Sequence, residues 1–92
     1  MIVDVRDASE VAKSGKIEGA KHISRGMLEF RADPASPTYD QALSTDKPMI
    51  LYCGSGGRAA LAGKTLTEFG YKRVYNLGGF GNAVKAGMPT ET

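Results

Sequence analysis

Met49-Ile50-Leu51-Tyr52-Cys53-Gly54-Ser55-Gly56-Gly57-Arg58-Ala59-Ala60-Leu61-Ala62 reads as strand, tight loop and helix. Met49 to Tyr52 is a short apolar run without a charge, the pattern of a strand buried on both faces in a parallel sheet. From Arg58 to Phe69, the residues Leu61, Ala62, Thr65, Leu66 and Phe69 recur at helical spacing and predict an amphipathic helix. Between the two lie one cysteine and three glycines. The only cysteine of the chain thereby falls at the carboxyl end of a strand and the mouth of a helix. Open α/β sheets bind ligands at that place.

Glycine tolerates positive φ, so Gly54, Gly56 and Gly57 let the backbone curl with its N–H groups pointing inward. Successive inward N–H groups form an anion-binding nest. The helix adds its positive N-terminal end, and Arg58 adds a full charge. A thiol in such a cup should ionise below the ordinary value of about 8.5. The plainer readings are an inert buried cysteine, common among free cysteines, and a glycine turn that merely joins strand to helix. A core cysteine needs no curled loop after it, and one glycine serves for a connection. Three glycines and an arginine favour a reactive thiol. A nucleotide-binding P-loop is excluded, because the glycines are not followed by Gly-Lys-Ser/Thr.

The 92 residues make one domain, 1–92, with a modest core. The composition, 41% hydrophobic and 24% charged, is that of a globular protein, and the net charge of +2 is too small to imply nucleic acid or membrane as partner. One cysteine forms no internal disulfide, and no ligand cluster for a metal is seen. No apolar run reaches the roughly 18 residues of a membrane span, and no secretory signal opens the chain. A cytoplasmic location is the expectation.

The rest of the chain alternates strands with helices. Ile2 to Arg6 alternates apolar and polar as a strand does, and Asp7 with Glu10 has capping-box spacing for a helix from Ala8 to about Lys13. Gly19 to Ile23 reads as a brief strand carrying the lone histidine, His22, which has no neighbour in sequence to make it a base. Gly26 to Arg31 suggests a turn or two of helix, Asp33 to Thr38 a loop, Asp40 to Leu43 a further helical turn, and Asp46-Lys47-Pro48 the turn into the Met49 strand. Gly70 stops the long helix, Arg73 to Leu77 is the next strand, Gly78-Gly79 turns the chain, and Phe80 to Ala86 forms a last helix. This order indicates an α/β domain with a parallel sheet.

Four segments together resemble the rhodanese-like sulfurtransferase family. They are Asp4-Val5-Arg6 with Glu10, then Gly15-Lys16-Ile17-Glu18-Gly19-Ala20-Lys21-His22-Ile23, then Cys53-Gly54-Ser55-Gly56-Gly57-Arg58, and last Gly78-Gly79-Phe80 through Ala86-Gly87-Met88-Pro89. The match runs nearly end to end. Lys16 replaces a usual histidine and Ala83 a usual tryptophan, which suggests a less filled core beside Ala83. Family domains usually carry a strand and helix ahead of the Asp-Val-Arg segment, and this sequence is read as lacking them, with a sheet edge or core face less covered.

The resemblance implies a three-layer fold, a central parallel sheet flanked by helices. It implies a sulfurtransferase without cofactor, in which the Cys53 thiolate takes the outer sulfur of a small anionic donor such as thiosulfate and holds it as a persulfide. Cyanide or a thiol acceptor, small or on a protein, then removes it. Gly54, Ser55, Gly56, Gly57 and Arg58 would bind donor and persulfide, with Arg58 orienting the anion or holding the loop through backbone carbonyls. Ser55 would bond sulfur or face water, and Asp4 with Arg6 would form a structural ion pair under the loop. Cys53-Gly54-Ser55-Gly56 resembles the start of the mercaptopyruvate sulfurtransferase loop, and Gly57-Arg58 the ending in thiosulfate-using single-domain members. Two rivals remain. Related phosphatases and arsenate-processing enzymes use five residues between cysteine and arginine, where this loop has four. A persulfide carrier or regulatory docking module would act only with a protein partner.

Overall fold

The computed structural model describes all residues from Met1 to Thr92. Along the chain run β1 (Ile2–Asp4), α1 (Ala8–Ser14), β2 (Lys16–Ile17), β3 (Lys21–His22), a 3-10 turn (Arg25–Met27), α2 (Leu28–Ala32), β4 (Met49–Cys53), α3 (Gly57–Glu68), β5 (Val74–Gly79), α4 (Phe80–Lys85) and β6 (Thr90–Glu91). The main sheet has the order β3-β1-β4-β5 with every pair parallel. β4, the strand of the opening stretch, therefore sits inside the sheet and pairs on both sides. Ile2, Val3 and Asp4 lie opposite Ile50, Leu51 and Tyr52.

The alternation along β4 builds the two cores. Met49, Leu51 and Cys53, with Val3 and Val5 of the neighbouring segment, pack against Leu28 and Ala32 of α2 and Ala59, Ala62 and Leu66 of α3. On the other face Tyr52 packs with Ile17, Ala20 and Ala83, flanked by Ile2, Leu77, Phe80 and Met88. This is the three-layer arrangement that the resemblance implied, and all of β4 but the half-buried Ile50 is buried. Ala83 is buried in this second cluster with Ile17, Ala20 and Tyr52, and Phe80 and Met88 pack against the same cluster.

α3 ends as foreseen at Gly70. There φ is +95°, the Gly70 N–H donates to the Thr67 carbonyl (3.1 Å) and the Tyr71 N–H to the Leu66 carbonyl (3.0 Å), which satisfies the last turn. Three local expectations are corrected. The expected stripe of α3 is buried at Ala62 and Leu66, but Leu61 is 61% exposed and Ala59 takes its place against the core. Asp40 to Leu43 is one hydrogen-bonded turn and no helix; the Asp40 carboxylate captures the Ala42 N–H (2.9 Å) that a helix would use. Gly78 and Gly79 do not turn the chain but extend β5, where the register slips so that Leu51 faces Asn76 and Tyr52 faces Gly78, leaving Leu77 as a bulge. The antiparallel pair β2–β6 was not foreseen at all, for it joins residues from opposite ends of the chain.

Candidate active site

Cys53 closes β4, three residues curl over its sulfur, and α3 begins at Gly57. The curl needs one left-handed residue. It is Gly56, at φ +103°, and a side chain there would be strained whatever the space. The Gly56 N–H donates to the Cys53 sulfur at 2.9 Å. Cys53 is fully buried, and that burial pushes its thiol pKa up. The N–H groups of Ala59, Ser55, Gly56 and Arg58 outweigh the burial and hold the thiol below its usual range. Of the loop N–H groups expected to face the sulfur, that of Gly56 makes the hydrogen bond, and those of Ser55, Arg58 and Ala59 add to the lowering of the thiol.

The other loop residues have different work. Gly54 is exposed, but a methyl on it would come within 3.2 Å of Arg58 Nη2 and 3.5 Å of Glu10 Oε2. Ser55 is exposed and lends the sulfur its backbone N–H. Gly57 has neither positive φ nor a neighbour within 4 Å of a Cβ, so the site makes no demand for glycine there. Arg58 forms a two-pronged ion pair with Glu10, Nη1 to Oε1 and Nη2 to Oε2 (2.9 Å). Glu10 Oε1 also accepts the Asp7 N–H at 3.1 Å. The Arg58 guanidinium and that N–H draw the Glu10 carboxyl down to about 2. Arg58 thus holds the loop through a carboxylate on α1 rather than through backbone carbonyls, and an incoming anion meets a guanidinium that is already paired.

Beneath the loop, Arg6 grips Asp4 by Nε to Oδ1 (3.0 Å) and Nη2 to Oδ2 (2.8 Å). It also donates to Ser14 Oγ and the Gly15 carbonyl, each at 2.7 Å, and lies 4.3 Å over the Phe80 ring. Burial raises the Asp4 pKa, but the Arg6 hydrogen bonds prevail and it is lowered. The pair is structural, as expected, and it pins the end of α1 to the sheet. Tyr52 accepts the Ile17 N–H at 2.9 Å, and burial pushes its hydroxyl up to about 12. His22 Nε2 bonds the Arg6 carbonyl at 2.7 Å, which occupies the only histidine in support of β1.

Three residues were not read from the sequence as part of the site. Glu10 was read as a capping residue and as part of the early segment of the resemblance, not as the partner of Arg58. Gly79 passed as a turn, yet a Cβ there would lie 2.5 Å from the Gly54 carbonyl oxygen, so β5 and the loop touch backbone to backbone. The available signal was a second glycine at the end of the strand beside the cysteine strand. Asn76, on the edge strand β5, donates through Nδ2 to the Gly56 carbonyl at 3.1 Å. No group of three or more His, Cys, Asp and Glu side chains is placed to hold a metal, and no helix is long and apolar enough to cross a membrane.

The fold is a parallel α/β sheet that presents its one cysteine at the carboxyl edge, at the mouth of a helix. The rhodanese-like domain model matches residues 1–86, and the chain belongs to that family. It is similar over its whole length to the thiosulfate sulfurtransferase GlpE of Actinobacillus succinogenes, with 35% identity over 94 residues, covering 76% of that protein. It is 36% identical over 89 residues to the uncharacterized protein YqhL of Bacillus subtilis; the match takes in 92% of this chain and 64% of that longer protein. Among solved structures, a protein of unknown function from Rhodopseudomonas palustris, described as a possible tyrosine phosphatase, superposes with a TM-score of 0.91 at 46% identity, covering 99% of this chain and 70% of that one.

Proposed function

We propose that this domain is a sulfurtransferase that carries sulfane sulfur on Cys53. The observation that carries the reading is the Gly56 N–H donating at 2.9 Å to the buried Cys53 sulfur at the mouth of α3. This bond and the backbone N–H groups beside it hold the thiol below its usual range and favour the thiolate, which is the nucleophile. With thiosulfate, the thiolate attacks the outer sulfur, the sulfur–sulfur bond of the donor breaks, and sulfite leaves with the bonding pair. The outer sulfur of the resulting persulfide is anionic and remains within reach of the same N–H groups. Cyanide or a thiol then attacks that sulfur, the new bond forms, and the Cys53 thiolate is released. No proton need be stored at the site, in keeping with a histidine that is engaged elsewhere.

The loop size supports sulfur over phosphate. Four residues separate Cys53 from Arg58, and Arg58 is turned to Glu10 rather than left open to a tetrahedral anion. Assay of thiocyanate formation from thiosulfate and cyanide should show turnover by the wild type and none by Cys53→Ser. Mercaptopyruvate replaces thiosulfate in a second arm to assign the donor. Hydrolysis of an aryl phosphate without sulfur transfer would overturn the reading. Persulfide formation with poor turnover on cyanide, but rapid turnover on a protein thiol, would identify a carrier that serves a partner.

A further inference from the structure

We infer that Asn76 is a positioning residue of the active loop, its side-chain amide locking the Gly56 peptide so that the N–H groups around it face the Cys53 sulfur. Gly56 stands at the pivot of the cradle. Its N–H meets the sulfur at 2.9 Å, and its carbonyl accepts the Ala60 N–H at 2.9 Å, the first bond of α3. The next two N–H donors to the sulfur, from Arg58 and Ala59, belong to that first turn. Yet Gly56 is a left-handed glycine with no side chain to fix it. A residue of that kind is a hinge unless something outside holds it.

Asn76 is what holds it. Nδ2 donates to the Gly56 carbonyl at 3.1 Å, while Oδ1 accepts the Gly78 N–H at 2.8 Å. The amide has its donor on a carbonyl and its acceptor on an N–H, so its orientation is set at both ends. The second bond also closes the bulge at Leu77 that brings Gly78 against the loop, where a Cβ on Gly56 would sit 3.5 Å from the Gly78 Cα. Asn76 thereby couples the bulged end of β5 to the N-terminus of α3. Nothing else in its surroundings requires an asparagine: it stands exposed on the edge strand.

The inference rests on the reactive-thiol reading of the site, and the two can fail separately. The test is the rate of Cys53 alkylation by iodoacetamide against pH, with a melting curve on each protein, for wild type, Asn76→Ala and Asn76→Asp. The aspartate keeps the acceptor for Gly78 and loses the donor to Gly56. Both variants should melt within about 5 °C of wild type. Both should react about three- to ten-fold more slowly at neutral pH and converge with wild type at alkaline pH, since fewer aligned N–H groups leave less thiolate. A role confined to closing the bulge predicts Asn76→Asp indistinguishable from wild type, and that result overturns the inference. Profiles of both variants that overlay wild type overturn it as well. A wild-type thiol that titrates at the ordinary value overturns the activated-thiol reading together with it. Shifted variant profiles in a protein that forms no persulfide would sink the sulfurtransferase reading and leave Asn76 in its place.

Discussion

Gly79→Ala should cripple the site through one methyl group. The backbone at Gly79 is ordinary extended structure, φ −98° and ψ 149°, so alanine suits the conformation and only the contact matters. The added Cβ would lie 2.5 Å from the Gly54 carbonyl oxygen and 3.3 Å from both the Gly54 carbonyl carbon and the Ser55 Cα. All three are backbone atoms, and none can swing away as a side chain would. The loop must retreat by about 0.5 Å to reach even the tightest real contact and by nearly ~1 Å to reach an ordinary one. Overpacking of this kind costs about 1–3 kcal/mol in stability. A displacement of that size also pulls the Ser55 and Gly56 N–H groups off the sulfur. Loss of one aligned donor at such a site is worth about 10²–10³ in rate, so partial loss should lower kcat/KM for sulfur transfer by about 10- to 100-fold. The alkylation profile should move to higher pH with it. Gly81→Ala is the control, since a Cβ there meets nothing within 4 Å and φ is not positive. It should leave activity unchanged and stability equal or slightly higher. Gly79→Ala with activity within twofold of wild type would show that β5 does not back the loop.

Other perturbations probe the supports. Glu10→Gln should lower stability by no more than about 1 kcal/mol, because more than a third of each partner is exposed and water screens the pair. The Glu10 carboxyl is lowered from its usual value to about 2, so its contribution is fully present above about 4.5 and is lost as pH falls through that window. Urea midpoints of wild type and Glu10→Gln should therefore converge toward pH 2, and a constant gap across that range would refute the pairing. Arg6→Met leaves Asp4 buried without its cation and frees the end of α1, and should cost about 3–5 kcal/mol in chemical denaturation. A loss below about 1 kcal/mol would mean that Asp4 is not held as seen.

What the sequence disclosed depended on how local the physics was. The run Met49 to Tyr52 carries no charge, so its place inside a parallel sheet could be read directly, and the three glycines with one arginine pointed to the curled loop. Gly70 as a helix stop is equally local. The helix phase was misjudged at Leu61 because a leucine outweighs an alanine in any periodicity, although Ala59 faces the core. Contacts between distant segments left weaker marks. Glu10 and Arg58 are 48 positions apart, and the capping spacing of Asp7 and Glu10 already accounted for the glutamate. Asn76 and Gly56 are 20 apart, on the edge strand and in the loop after its neighbour, and nothing local links them. β2 and β6 pair residues from opposite ends of the chain, Ile17 with Thr90 and Lys16 with Glu91, and nothing local marks them.

The central claim is that the cradled thiol of Cys53 accepts and keeps a sulfur atom. Intact mass of the wild type and of Cys53→Ser, after incubation with thiosulfate or mercaptopyruvate and removal of the donor, tests it most directly. The chain has one cysteine, so the reading has a single site. The account predicts a gain of one sulfur atom in the wild type, its loss on adding cyanide, and no gain in Cys53→Ser. An unchanged wild-type mass with both donors would contradict it.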